Sequence, residues 1–128
     1  MLDLWNGGAI DPADVYASGC VENGDSTFEP QEVLPSIHAL RSGLPDLHFT
    51  VEDSFRAGDC DRYALRLRAD GNHAGVLQTP LGLAKPTGRS ISMRGIEVFE
   101  VLNDRIVSVW VGWNFGDLYA ALGATLPK

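Results

Sequence analysis

The sequence predicts an α+β domain, on three observations: one amphipathic helix early in the chain, a later change to period-two patterning, and two long strands meeting at a tight turn. The helix spans Glu29 to Ser42, with Val33, Leu34, Ile37 and Leu40 as its buried stripe. Pro30 and Pro35 confine its start to that region, because proline is tolerated only in the first turn. Gly43 stops it, and Leu44-Pro45-Asp46 turns the chain into the sheet.

From residue 47 the pattern alternates. Residues 47–55 place Phe49, Val51, Asp53 and Phe55 on one face. In 61–69, Tyr63, Leu65, Leu67 and Ala69 alternate with Arg66 and Arg68, as in a half-buried antiparallel strand. Residues 90–102 set Arg94 and Glu100 against Met93, Gly95, Glu97, Phe99 and Val101. Asn103-Asp104 is the turn, and 105–115, apolar on both faces, is expected to be central or covered on both sides.

The flanking segments are weaker. One helical turn fits before Asn6-Gly7-Gly8. A helix so short is unstable alone, so either it packs firmly on the sheet or the natural protein begins upstream of Met1. Asp11 as N-cap and Pro12 at the first position predict a second helix start, with Val15 and Tyr16 facing inward. Leu118 to Leu122, closed by Gly123, is a short terminal helix. Between the second and third strands, residues 73–88 carry prolines and glycines that interrupt regular structure; a loop of that length suits a pocket lid.

A chain of 128 residues is long enough for one domain and too short for two. Apolar residues make up 45% and charged residues 21%, ordinary for a globular domain. No apolar run approaches the roughly 20 residues that span a bilayer, and Met1 to Trp5 lacks the basic region of a signal peptide. The default location is the cytoplasm, with no membrane partner. The net charge is −7 and the only lysines are Lys85 and Lys128, so no basic face exists for nucleic acid. Cys20 and Cys60 form no CxxC pair and read as small buried hydrophobes; His38, His48 and His73 lack metal-ligand spacing, so no metal site is argued.

Several short motifs in order resemble the SnoaL-like polyketide cyclase family of the nuclear transport factor 2-like superfamily. They are Trp5-Asn-Gly-Gly8, Pro45-Asp-Leu-His-Phe-Thr-Val-Glu-Asp53, Gly71-Asn-His-Ala-Gly75, Pro86-Thr-Gly88, Gly95-Ile-Glu-Val-Phe99 and Ile106-Val-Ser-Val-Trp110. The resemblance runs from about Trp5 to Gly123. It implies a cone-shaped fold: a curved mixed or antiparallel sheet closed by N-terminal helices around one deep apolar pocket. It also implies an acid/base aspartate near the end of the last strand, in a Trp-x-x-x-Asp pattern. Here that pattern reads Trp110-Val-Gly-Trp-Asn114, and an asparagine cannot shuttle a proton near neutral pH.

The candidate catalytic residues are Glu97, His73 and Asn114. Glu97 shares a face with apolar groups; burial would raise its pKa toward that of a general base, and the alternative is pairing with an arginine of a neighbouring strand. His73 suits proton transfer near neutral pH, or is a turn residue among glycines. Asn114 either holds an oxyanion or caps the following turn. Candidate substrate-binding residues are Asn23, Asp53, Trp110, Trp113, Tyr16 and Tyr63. Asn23 matches a family position lining the cavity, with a local Asn-Gly turn as the alternative. Trp110 and Trp113, three apart on a strand, face opposite sides, so one lines the pocket and the other packs elsewhere. Tyr16 and Tyr63 reach the cavity or pack in the core.

The function expected is a cyclase or isomerase working by acid/base chemistry on an apolar, polyketide-like carbonyl compound, with no cofactor. The alternative is a non-catalytic binding protein for a hydrophobic metabolite. A hydrophobic small molecule is the expected ligand, and the outer sheet face is expected to form a homodimer.

Overall fold

The computed structural model describes residues 1–58 and 61–123, so the expectation for Cys60 lies outside the described residues. The helices are α1 (Leu2–Trp5), α2 (Val33–Gly43) and α3 (Phe115–Ala121). The strands are β1 (Tyr16–Glu22), β2 (Ser26–Phe28), β3 (His48–Arg56), β4 (Arg62–Asn72), β5 (Leu77–Thr79), β6 (Gly82–Ala84), β7 (Ser90–Leu102) and β8 (Arg105–Trp113). Six of them form one sheet in the order β2-β1-β8-β7-β4-β3, and β5–β6 is a separate hairpin within the segment expected to be a loop.

β4, β7 and β8 carry the sheet. β4 and β7 pair antiparallel in unbroken register from Arg62 opposite Glu100 to Asn72 opposite Ser90. β7 and β8 meet at Asn103 and Asp104, both at positive φ (51° and 62°), the left-handed conformation that a two-residue hairpin requires and that these side chains tolerate. β8 is central, between β1 and β7.

The structure departs from the sequence pattern at two places. The helix expected after Asp11 is a single 3-10 turn, Pro12–Asp14, and Tyr16 starts a strand instead. Asp11 does cap the turn, accepting from the Ala13 amide at 3.0 Å, but no helical stripe follows, and Tyr16 pairs in parallel with Ile106 of β8. This parallel pairing makes the sheet mixed. In β3, a bulge between Val51 and Asp53 inserts one residue. Phe49 and Val51 keep the inner face, whereas Asp53 and Phe55 fall opposite Arg66 and Ala64 and so take the outer one.

The inner face of the sheet meets α1, α2 and α3. One core cluster joins Leu4, Tyr16, Cys20, Val33, Ile37, Ile106 and Val109; a second joins Leu44, Leu47, Phe49, Ala69, Leu77, Ile91 and Leu118. Trp5 packs against both. Of the α2 stripe, Val33 and Ile37 are buried while Leu34 remains exposed. The single turn of α1 is held from outside: the Asn6 side chain accepts from the Phe49 amide (2.7 Å) and donates to its carbonyl (3.1 Å), pairing with β3 as a strand would. α3 is fastened by Asp117, whose carboxylate accepts from the Arg94 guanidinium at 2.8 Å through each oxygen.

The outer face carries an apolar row in register across four strands: Phe55, Ala64, Val98 and Trp110. Phe55 is 64% exposed and Trp110 50%. On the inner face Gly95 lies opposite Trp113, and a Cβ there would overlap the indole. Gly95→Ala is therefore expected to displace Trp113 and destabilise the fold by about 1–3 kcal/mol. Chemical denaturation with near-ultraviolet circular dichroism checks it; unchanged stability and an unchanged tryptophan signal would contradict the packing described.

Candidate functional site

Between the inner sheet face and the helices lies a cavity of about 840 Å³. Its body is apolar, with Leu67, Ala69, Ile91, Met93, Val109 and Val111 from the sheet. Aromatic rings stand over them: Trp113 lies 5.8 Å from Phe49, and Trp5 packs edge-on to Phe49 at 6.2 Å. β5–β6 contributes Leu77, Gln78 and Thr79, so the segment expected as a lid does border the cavity.

Glu97 is set into this wall. Its register partners are Leu65 on β4 and Val111 on β8, so the carboxylate emerges between aliphatic side chains. Arg66 and Arg68 are at the opposite parity of β4 and face outward, which removes the structural alternative of an arginine partner. Among the described residues Glu97 has no ion-pair or hydrogen-bond partner. Burial raises its pKa from 4.5 to about 7, with the Met1 amino group acting in the opposite direction.

Tyr16 lines the same cavity and is 4% exposed. The Trp5 indole N–H donates to its hydroxyl oxygen at 2.8 Å. The Tyr16 proton has no acceptor among the described residues, so it remains available to something in the cavity. Burial, with the charge of Glu97 adding to it, raises the Tyr16 pKa and keeps the phenol protonated.

The other candidates lie elsewhere. His73 is fully buried outside the cavity lining: its amide donates to the Arg89 carbonyl (2.9 Å), its carbonyl accepts from the Gly88 amide (2.8 Å), and its Nδ1 accepts from the Thr87 amide (3.2 Å). It closes the 73–88 segment at its base. Asn114 is exposed and caps α3, its Oδ1 accepting from the Asp117 amide at 3.2 Å. Asn23 sits in the β1–β2 turn at positive φ (51°) and accepts from the Val111 amide at 3.0 Å. Asp53 is on the outer face because of the β3 bulge. Trp110 is outside too, covering Gly24, whereas Trp113 lines the cavity. Tyr63 stacks on Phe99 at 5.2 Å and does not line the cavity. Glu97, Tyr16 and Trp113 are thus brought together and the remaining six are not. Trp5 went unselected; its place in the first turn, among the residues carrying the family resemblance, was the available signal.

An open, curved mixed sheet with helices over one cavity defines the nuclear transport factor 2-like fold. Within it, the chain belongs to the SnoaL-like polyketide cyclase family, whose model matches residues 1–122. Among solved structures the chain is similar to IdmH from Streptomyces antibioticus, at 24% identity over 96% of this chain and 93% of that one, with a TM-score of 0.77. TsrD from Streptomyces laurentii gives 22% identity, 97% and 90% coverage and a TM-score of 0.78. AclR from Streptomyces galilaeus gives 23% identity, 88% and 70% coverage and a TM-score of 0.69. No curated protein matches the sequence. Among the described residues no helix is long and apolar enough to cross a membrane.

The raised pKa of Glu97 has a consequence for stability. Between its ordinary 4.5 and about 7, the folded chain holds a proton that the unfolded chain has released. The associated stability is present below pH 4.5 and is lost as pH rises through 7. The loss is at most about 3 kcal/mol. Asp117, lowered to about 2 by the Arg94 hydrogen bonds, acts in a separate window, its contribution disappearing only as pH falls below 3.8. Urea denaturation at pH values either side of 4.5–7 is expected to show this decline in the wild type and its removal in Glu97→Gln; equal slopes in both would contradict it.

Proposed function

We propose that the chain is an acid/base enzyme of cyclase or isomerase type acting on an apolar carbonyl compound, with Glu97 as the base. The observation that carries this reading is the unpartnered Glu97 carboxylate in an apolar cavity, its pKa near 7. Such a group is ionised often enough to accept a proton and acidic enough to return it. In the proposed sequence Glu97 removes a proton from the carbon next to a carbonyl, and the enolate carbon attacks a second carbonyl in the same molecule. The protonated Glu97 then gives its proton to the resulting alkoxide, so the overall change is an isomerisation with ring closure. Nothing in these steps requires a metal or organic cofactor.

Tyr16 takes the part first considered for Asn114. Its free O–H would donate to the carbonyl oxygen as charge develops there, and the Trp5 N–H on its own oxygen strengthens that donation. Trp113 offers a flat apolar wall for a ring system. IdmH is named as a polyketide cyclase candidate and AclR as a hydroxylase candidate, which is in keeping with small-molecule chemistry on this fold.

A second reading, a binding protein without catalysis, is favoured by one observation: Asn114 stands where the family resemblance expects an acid, and it faces solvent. The two separate by assay against a panel of aromatic poly-β-carbonyl compounds. Under the enzyme reading, Glu97→Gln lowers turnover about 100-fold or more and Tyr16→Phe lowers kcat by a similar factor, both remaining folded. Wild-type kcat rises with pH to a plateau, with its midpoint near 7. Undiminished turnover in Glu97→Gln removes the base; saturable binding without turnover across the panel favours the binding protein.

The outer row of Phe55, Ala64, Val98 and Trp110 is the surface we propose for a homodimer. Sedimentation should then find a dimer in the wild type and a monomer in Trp110→Glu; a monomeric wild type contradicts this.

A further inference from the structure

Charge is distributed one-sidedly over the cavity wall. Three carboxylates line it, Glu22, Glu32 and Glu97, and among the described residues no lysine, arginine or histidine side chain does. The other polar lining is neutral: Ser26, Thr27, Ser36, Gln78 and Thr79. Glu22 at the end of β1 and Glu32 just before α2 are exposed, so they stand where the cavity opens to water.

The arginines of α2, β4, β7 and β8 are directed elsewhere. Arg41 donates to the carbonyls of Leu47 and Pro45, Arg105 to that of Ala13, and Arg94 to Asp117. Arg62, Arg66 and Arg68 share the outward parity of β4. Among the described residues the Met1 amino group is the one positive charge acting on Glu97.

We propose that the cavity sorts ligands by charge: it admits uncharged and amine-bearing apolar molecules and rejects their carboxylate and phosphate analogues, with Glu22 and Glu32 at the mouth setting the selection. This rests on the reading of the cavity as the ligand site. An anion entering it gives up its hydration and meets three carboxylates, against which the Met1 amino group is the one positive charge among the described lining residues. It also stabilises protonated Glu97, which removes the base from its active form. Binding and reactivity therefore oppose an anion together, whereas an ammonium group at the mouth meets two carboxylates.

Isothermal titration with three probes that share a naphthalene body tests this: 1-naphthylmethanol, 1-naphthylmethylamine and 1-naphthoate, at low ionic strength and about pH 8, where Glu97 is ionised. The alcohol is expected to bind, the amine to bind at least as tightly, and the carboxylate to bind at least about tenfold more weakly than the alcohol. Combining Glu22→Gln with Glu32→Gln should narrow the alcohol-to-carboxylate gap, as should added salt. Naphthoate binding as tightly as the alcohol, or a gap undiminished in the double variant, overturns the proposal. Failure of the alcohol itself to bind the folded wild type overturns the cavity as a ligand site. The role of Glu97 as base is read separately, from turnover in Glu97→Gln.

Discussion

The alternation of side chains along β4 and β7 decides what the cavity contains. Because the two strands pair without a break from Arg62 to Asn72, every arginine of β4 is held on the outer face and every inward position is given to the interior. Glu97 is the exception in chemical type but not in parity: it occupies an inward position between Leu65 and Val111. A carboxylate so placed cannot recruit the outward-facing arginines of the neighbouring strand, and burial strips it of hydration. Its raised pKa follows from that geometry.

The rest of the site depends on parts of the chain with little stability of their own. Trp5 sits in the single turn of α1 and Tyr16 at the first position of β1, which joins the sheet in parallel with β8. That turn is kept in place by the paired hydrogen bonds of Asn6 to Phe49 and by Leu4, 1% exposed in the core. Phe49 in turn packs on both Trp5 and Trp113. The donor held over the cavity is thus coupled to the aromatic wall through one residue of β3, and the absence of a side chain at Gly95 lets Trp113 lie against the sheet.

Much of this was legible in the sequence where the physics was local. The period of residues 90–102 fixed the face of Glu97, the Asn103-Asp104 pair marked the turn, and helical spacing with Gly43 located α2. The separation of Trp110 and Trp113 showed that they part, though which one faces inward depended on pairing with β7. Asp53 was misplaced because a one-residue bulge reverses every side chain beyond it and leaves no mark in the alternation. The region after Asp11 was misread because its strand is specified by a partner some 90 positions away, Ile106, and not by its own pattern. Asn114 and His73 carry suitable chemistry but are taken up by backbone: one caps α3 and the other closes a loop. The carboxylates of the cavity mouth lie on short elements that periodicity does not resolve.

The direct test is a titration of the Glu97 side-chain carboxyl by carbon-detected nuclear magnetic resonance, assigned with the Glu97→Gln variant. An apolar, unpartnered site requires a midpoint near 7. A midpoint in the ordinary range near 4.5 would mean that the carboxylate is well hydrated or paired, and the cavity would then lack the base on which the proposed chemistry depends.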